Sequence, residues 1–439
     1  MSDTRNRIGS PANLESTNAP DPRRRSVLRA AGGLALASLL PASMARASSG
    51  GKLKIGFVSP QTGPLAVFAE SDAFTIEQVK RAVGGGLKLG GRTYAVEILY
   101  KDSQSNSNRA SEVASELILQ DRVDLVLAAS TPATTIPVAD QCELNGVPCI
   151  TTDTPWQPYF FGRKGNPKKG FEWTYHFFWG LEDVIGAYTS MWSELPTNKE
   201  VGSLWPNDSD GNAWGDPKMG FPPVLAKKGF RLVDRGRFQL PSDNFSAYIT
   251  DFKKNNVEIV TGVVPPPDFA NFWSQSGQQG LKPKIVTVAK ATEFPAAVEA
   301  FGNRAGGLSV EVWWSPAYPF HSSLTAQSSA ELAAAYTKAT GRPWTMPLGF
   351  RHSLFEVAID VLKRAADRHP EAIRNAIRTT SLNTVVGSID FRKGPVPNIA
   401  KTPLTGGQWR RAAKGFELLL VDNSQAPMVP VHDKLVMLS

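Results

Sequence analysis

The chain has 439 residues, of which 41% are hydrophobic and 20% are charged. These values are typical of globular proteins, and the length allows two or three domains. The formal net charge is +8, but about half of it lies in residues 1–47, which hold seven arginines and three acidic residues. The other charges are scattered, so the sequence does not indicate a nucleic-acid-binding surface.

Residues 1–47 have the pattern of an export signal. The basic segment Arg23–Arg29 precedes a short apolar stretch, Ala30–Leu40, and Ala45–Ala47 offers small residues for signal-peptidase cleavage. Arg24-Arg25 resembles a twin-arginine signal. We expect a twin-arginine-type signal peptide that is removed near Ala47, with a disordered basic tail as the alternative. No later segment is apolar over a membrane-spanning length, so we expect a soluble protein in the periplasm.

The mature chain begins with alternating strands and helices. The sequence predicts strands at Lys52–Ser59 and Tyr94–Tyr100, and a helix from about Ala66 to Val83 between them. Asn106 or Ser107 can cap the next helix, which should reach Gln120. This order implies a parallel sheet with helices on both faces.

The segment from Val123 to Trp156 is the most informative unit of the chain. The apolar run Val123–Ala129 predicts a buried parallel strand. Thr131 is a good helix N-cap, and Pro132 suits the first helical position. The helix should end at Gly146, before a strand at about 147–151.

Two polar loops should therefore lie at the carboxyl ends of neighbouring strands. They are the hydroxyl-rich turn Ser130–Thr135 and the segment Thr152–Trp156. Open α/β sheets bind ligands at this edge, where free N–H groups and a helix dipole point at the crevice. We expect the two loops to form half of a pocket. An ordinary capped helix and loop are the alternative.

The second half of the chain repeats this style. Strand and helix patterns alternate from Asp183 to Ala289 and predict a second doubly wound domain. Leu308–Trp314 is a strand that could return to the first domain. Helices are expected at about 323–340, 350–366 and 371–379, and the tail from Val385 is strand-like.

The chain contains two cysteines, Cys142 and Cys149. In an oxidising compartment they could form one disulfide across the helix–strand turn. Equally, both could be small buried residues, because the sequence does not show whether their Cβ atoms approach each other.

Several motifs together carry a family resemblance. In chain order, they are Gln61–Ala66, the glycine turns at 85–86 and 90–91, Asp102–Ser105, Gly146–Pro148, Ala213–Gly215 and Val385–Phe391. The set resembles the Leu/Ile/Val-binding family of periplasmic solute-binding proteins that serve ABC transporters. The resemblance implies two α/β lobes joined by three hinge crossings, with the ligand closed between them. It implies one lobe from 50–178 plus 312–386 and the other from 179–311 plus 387–439.

The resemblance also implies ligand-binding positions. They are Phe68, Ser130, Thr131, Ala133, Thr134, Asp153, Thr154, Trp156, Glu182, Trp214, Pro265 and Lys290. Trp214 and Pro265 stand where tyrosines are common in the family, and Lys290 stands where amino-acid binders carry a second acid. A lysine there would repel an α-ammonium group, and the aromatic residues offer flat apolar walls. We therefore expect a carboxylate with an apolar or aromatic body rather than a simple amino acid.

Other chemistry has weaker support in the sequence. The five histidines are widely spaced, and neither a zinc motif nor a nucleophile elbow is present. Asn207–Asn212 lacks the glycine and glutamate of a calcium loop. We expect no metal, no cofactor and no enzymatic activity. The partners should be a small-molecule ligand and the membrane permease of an ABC transporter, with the protein itself a monomer. An exported hydrolase and a ligand-sensing receptor module are the alternatives.

Overall fold

The structure, a computed structural model, describes residues 49–438, so the predicted signal peptide lies outside the described residues. Within this range, none of the helices combines the length and the apolar character that crossing a membrane requires.

Strands and helices alternate through most of the chain. The strands are β1 (Ser49–Ser59), β2 (Leu87–Leu89), β3 (Arg92–Asp102), β4 (Leu125–Ala128), β5 (Cys149–Thr152), β6 (Thr174–Phe177), β7 (Glu200–Pro206), β8 (Arg231–Val233), β9 (Arg237–Phe238), β10 (Ile259–Val264), β11 (Ile285–Lys290), β12 (Ser309–Val312), β13 (Ser381–Thr384), β14 (Gly387–Asp390), β15 (Ile399–Ala400), β16 (Thr405–Arg411) and β17 (Phe416–Asp422). The α-helices are α1 (Asp72–Ala82), α2 (Ser107–Ser115), α3 (Thr131–Asn145), α4 (Trp156–Gly162), α5 (Leu181–Ser193), α6 (Ser209–Trp214), α7 (Phe221–Lys227), α8 (Ser246–Lys254), α9 (Pro266–Gln278), α10 (Pro295–Ala300), α11 (Ser329–Thr340), α12 (Met346–Arg364) and α13 (Pro370–Arg378). Short 3-10 turns lie at Ala66–Ala69 and Gly302–Arg304, and a π-helical turn at Glu116–Gln120 extends α2.

Two sheets form the centres of two lobes. The first has the strand order β15-β6-β5-β4-β1-β3-β2 and is parallel except for β2. The second has the order β17-β16-β12-β11-β10-β7-β8, with β16 and β17 antiparallel at one edge. All four residues of β4 are buried, as expected for a strand that is covered by helices on both faces. The predicted α/β class with parallel sheets in two lobes is confirmed.

The chain crosses between the lobes three times. It leaves the first sheet after β6, returns after β12 so that α12 packs against β4 and β5, and crosses again after β15. The lobe boundaries remain a prediction, but one strand does not belong to the lobe that they assign it to. Ile399–Ala400 pairs with β6 of the first sheet, although residues after 387 were assigned to the other lobe. The reason is that β13 and β14 form a hairpin and do not carry the chain across.

Three predicted helix starts are wrong by a few residues. The helix expected from Ala66 is a 3-10 turn followed by α1. The helix expected from about residue 323 begins at Ser329, because Ser328 and Glu331 form a capping box there. The N-cap of α3 is Ser130 rather than Thr131, which has a φ of +61°.

Candidate ligand-binding site

A narrow cavity lies where the two lobes face each other. Its position is set by the carboxyl ends of β4, β5, β7, β10 and β11, where parallel strands deliver their following loops. The first lobe contributes Phe68, Thr131, Pro132, Asp153, Pro155, Phe178 and Trp179. The remaining lining residues, Asp210, Trp214, Val263, Ala289, Lys290, Glu293, Glu311 and Trp313, belong to the second lobe or to the crossing that follows β12. A wider cleft beside the cavity is lined by Thr131, Lys290, Ala133 and Pro265 among others and leads to solvent.

Aromatic side chains supply five of the fifteen described residues that line the cavity. Phe68 of the first lobe meets Phe294 of the second edge-to-face, with ring centroids 4.7 Å apart, so the lobes touch across the cleft. Trp214 is held by a stacked contact with Phe221 at 5.2 Å. A wall of packed rings suits an apolar or aromatic solute.

Behind the first-lobe wall lies the arginine cluster, which consists of Arg351, Asp72, Asp153 and Ser130. The guanidinium of Arg351 is fully buried and pairs with Asp72 at 2.8 Å and with Asp153. It also donates to the Ser130 hydroxyl and, at 3.0 Å, to the carbonyl oxygen of Phe68. The Ser130 hydroxyl in turn donates to Asp153 at 2.9 Å. The cluster fixes the turn after β4 against the loop after β5, and it occupies the hydroxyl that was predicted to bind ligand.

The other groups of the hydroxyl turn have mixed roles. The hydroxyl of Thr134 lies 3.0 Å from that of Ser103, inside the lobe. The N–H of Thr131 donates to the carbonyl of Asp153 at 2.9 Å, and Pro132 has no N–H. Among the described residues the buried Thr131 hydroxyl has no hydrogen-bond partner. Of the predicted hydroxyls, this one alone both lines the cavity and is free.

Lys290 lines the cavity but is not an isolated positive charge. Its ammonium nitrogen lies 2.6 Å from Asp210 and 3.7 Å from Asp208. Burial alone would lower the pKa of Lys290, but the two carboxylates outweigh it and raise that pKa. The expectation that Lys290 repels an ammonium group is therefore wrong in its physical basis, because two acids balance the charge.

The second-lobe wall contains the glutamate cluster, which consists of Glu293, Glu311 and Tyr188. One oxygen of Glu293 accepts the N–H of Lys290 at 2.7 Å, and one oxygen of Glu311 accepts the Tyr188 hydroxyl. In the described chain the second oxygens of the two carboxyls have no partner other than each other, and they can share one proton. Burial raises the pKa of Glu293 to about 7. Burial and the adjacent Glu293 raise the pKa of Glu311 as well.

Three predicted ligand positions lie away from the cavity. The Thr154 hydroxyl is 2.9 Å from that of Thr135. The Trp156 ring packs against Phe160, and its N–H donates to Glu182 at 3.2 Å. Glu182 also pairs with Lys401 at 2.7 Å beside the lobe crossings. None of these three residues is among the cavity's lining residues, because their side chains are used within the protein.

Sequence reasoning missed several residues around the cavity. Glu311 carried a usable signal, since it is the single charge of the apolar strand β12, and such a charge is buried only with partners. Arg351 carried a weaker one, because α12 holds other charged residues besides it. Trp179 and Trp313 follow strands that end at the cleft and could have been found in the same way as Trp156. Glu293 lies in a short loop and had no such signal.

The two cysteines are free thiols and fully buried. They pack with Val138 and Val126 in the first-lobe core between α3 and the sheet. The structure thus has the second of the two arrangements left open by the sequence, two small buried residues.

Comparison with known proteins identifies the family. A model described as periplasmic binding protein matches residues 52–414. The chain belongs to this family. As a periplasmic binding protein it is a member of a solute-binding family, and that membership implies a location outside the cytoplasm.

Solved structures share the fold of this periplasmic binding protein. A leucine-binding protein from Thermotoga maritima is 18% identical with a TM-score of 0.67, covering 85% of this chain and 99% of its own. A solute-binding protein of an ABC transporter from Rhodopseudomonas palustris, in complex with 3,4-dihydroxybenzoic acid, is 17% identical with a TM-score of 0.68, covering 87% and 98%. A branched-chain amino acid transporter substrate-binding protein from Streptococcus pneumoniae, in complex with isoleucine, is 14% identical with a TM-score of 0.63, covering 84% and 99%.

Proposed function

We propose that this protein is the solute-binding component of an ABC importer and that it closes its two lobes around a small organic molecule. The observation that carries the proposal is the cavity itself. Phe68 and Asp153 of the first lobe and Trp214 and Lys290 of the second surround one narrow space. We propose Phe68, Thr131, Asp153, Trp214 and Lys290 as ligand contacts.

Contacts from both lobes explain how binding would be coupled to closure. A solute that touches both walls favours the closed arrangement over the open one by the contacts that only the closed arrangement provides. The Phe68–Phe294 contact is made between the lobes and would be lost on opening. The closed form is the state that a membrane permease would recognise.

The side chains near the cavity support binding rather than catalysis. Among the cavity's described lining residues there is neither a histidine nor a cysteine. The nearby His176 is bonded to Thr151 at 2.8 Å and to the carbonyl of Thr154 at 2.7 Å, and burial lowers its pKa to about 3. At the cavity the Ser130 hydroxyl donates to Asp153 and not to a histidine. The buried pair of Ser322 and His352, whose hydroxyl oxygen and Nε2 lie 2.8 Å apart, is not among the described lining residues, so it does not support the hydrolase alternative at this site.

Export and the transport partner complete the proposal. The arginine-rich head and apolar stretch within residues 1–47 support a signal peptide that is removed near Ala47. The structures of aromatic-acid and amino-acid binders with this fold support a small organic ligand and a permease partner. We propose that the mature chain acts as a monomer.

Calorimetry on the mature chain from Ser48 tests the proposal. We expect one solute per chain, no product after long incubation, and loss of binding in Ala289→Phe, which fills the cavity from the end of β11. Ala296→Phe adds the same ring at an exposed position of α10 and should bind as the wild type does. Turnover of a bound solute, or equal binding by Ala289→Phe and the wild type, would contradict the proposal.

A further inference from the structure

The ionisable side chains around the cavity are mostly acidic. Five ionisable side chains line it, and four of them are acids: Asp153, Asp210, Glu293 and Glu311 against Lys290. Lys290 is already paired with Asp210, and the nearby Arg351 is shared between Asp72 and Asp153. Neither cation is left to meet a negatively charged ligand.

The unused acceptor atoms lie on the same three acids. Asp153, Glu293 and Glu311 each keep one buried carboxyl oxygen to which no other group of the described chain donates, and those of Glu293 and Glu311 have only a proton shared between them. Each of the three side chains is at least nine-tenths buried. A buried acceptor without a donor is costly, and a ligand that supplies N–H groups would remove that cost.

The unused donors are neutral. Among the described lining residues they are the Thr131 hydroxyl and the indole N–H groups of Trp179, Trp214 and Trp313. Neutral donors suit a hydroxyl or carbonyl oxygen on the solute, but they do not offset the repulsion that a carboxylate would meet from nearby acids. The faces of the same indoles attract an organic cation.

We infer that the solute carries an organic ammonium group, which docks against the free oxygens of Glu293, Glu311 and Asp153 while its apolar body lies among the indole rings, and that it needs no carboxylate. This inference rests on the proposed function and names the ligand class of that site. The aromatic wall favours an organic cation over a metal ion, because hard cations require a shell of oxygen ligands. Proton balance follows from the cluster: Glu293 and Glu311 hold a proton between them in the empty cavity and release it when the ammonium group enters.

Ligands that share one apolar part and differ only in their charged groups test the inference. Titration calorimetry on the mature chain compares 3-methylbutylammonium, 3-methylbutanoate and leucine, and separately 2-phenylethylammonium, 3-phenylpropanoate and phenylalanine. We expect the ammonium member of at least one set to bind roughly 10- to 100-fold more tightly than both partners, which is the range for a charged hydrogen bond. Its binding should release protons, measured by repeating the titration in buffers of different ionisation enthalpy.

Two glutamate variants test whether Glu293 itself binds the ammonium group. Glu293→Gln keeps the shape and removes the charge, and should weaken ammonium binding at least tenfold, by the same range. Glu299→Gln, at an exposed position of α10, should leave it unchanged. Tighter binding of the acid or the amino acid, equal ammonium binding by Glu293→Gln and the wild type, or no binding of either ammonium probe would overturn the inference. In each of these cases one-to-one binding of any other solute would leave the proposed function standing, whereas no binding by a broad solute panel would remove both.

Discussion

The two buried polar clusters on either side of the cavity differ in how fully their charged groups are paired. In the arginine cluster, Arg351 reaches Asp72, Asp153, Ser130 and the carbonyl oxygen of Phe68, so most of its polar atoms have partners. In the glutamate cluster, two carboxyls lie side by side without a free cation among the described residues nearby, and their second oxygens have only a shared proton between them. Buried charges that are fully paired hold a structure in place, whereas unpaired ones are candidates for binding a ligand. We therefore assign Arg351 to positioning, and the glutamate cluster together with the free oxygen of Asp153 to ligand recognition.

The largest effect should come from breaking the arginine cluster. Arg351→Met removes the shared cation and leaves Asp72 and Asp153 buried without it. We expect the free energy of unfolding to fall by about 3–5 kcal/mol, the range for a buried pair that loses one partner. Urea unfolding of the unliganded mature chain measures it. Arg392→Met, which removes a half-exposed pair with Asp390, should have a much smaller effect, because solvent screens such a pair. Equal losses in the two variants would refute the structural role of Arg351.

Neutralising the glutamate cluster should act in the opposite direction. The folded pKa of Glu293, about 7, lies above the ordinary value of a glutamate, so its ionisation destabilises the unliganded fold. This penalty is absent below the unfolded pKa, grows as pH rises towards the folded one, and is complete above it. Glu293→Gln should raise the free energy of unfolding by on the order of 1–3 kcal/mol at about pH 8 and by less at about pH 5. A loss of stability at the higher pH would show that Glu293 supports the fold.

The same pKa gives ammonium binding a pH dependence. An entering cation favours ionised Glu293, so affinity should fall as pH drops below about 7, by roughly tenfold per unit, and level off above it. The charged and titratable groups that face Glu293 are Asp153, Asp210, Lys290, Glu311, Arg351 and Tyr188. Titrations across this range measure the profile. The Glu293→Gln variant should flatten it, and an unchanged profile in that variant would assign the proton to another group.

The smallest test compares two hydroxyls within one helical turn. Thr134→Val removes a buried hydrogen bond to Ser103 and should cost about 1 kcal/mol of unfolding free energy. Thr131→Val removes a hydroxyl without a partner in the described structure and should cost no more than about 0.5 kcal/mol. Thermal unfolding of the unliganded chain compares them, and a larger loss for Thr131→Val would reverse the roles assigned here.

Local patterns of the sequence were enough to predict the two sheets. Runs such as Val123–Ala129 are apolar over a strand's length, and Gly146 ends α3 in the left-handed conformation that glycine accepts without strain. The site was predicted less well, because ligand binding depends on which polar atoms are already occupied. Ser130 and Thr131 are adjacent hydroxyls in the chain, yet Arg351, more than two hundred residues away, occupies one and leaves the other free.

The sign of the ligand's charge was the property that the sequence predicted least well. Lys290 by itself favoured an anion, and only the fold brings Asp208 and Asp210 to its ammonium group. Glu311 lies within a strand and Glu293 in the loop after β11, and their proximity depends on β11 and β12 being neighbours in the second sheet. Such a pairing is a long-range contact that no spacing along the chain reveals.

A crystal structure of the mature protein with 2-phenylethylammonium tests the central claim most directly. We predict the ring between the lobes beside Trp214 and Trp179, with the ammonium nitrogen within about 3 Å of the free oxygen of Glu293. A solute bound outside the cleft, or one whose ammonium nitrogen turns towards Lys290 and away from the glutamate cluster, would contradict the account.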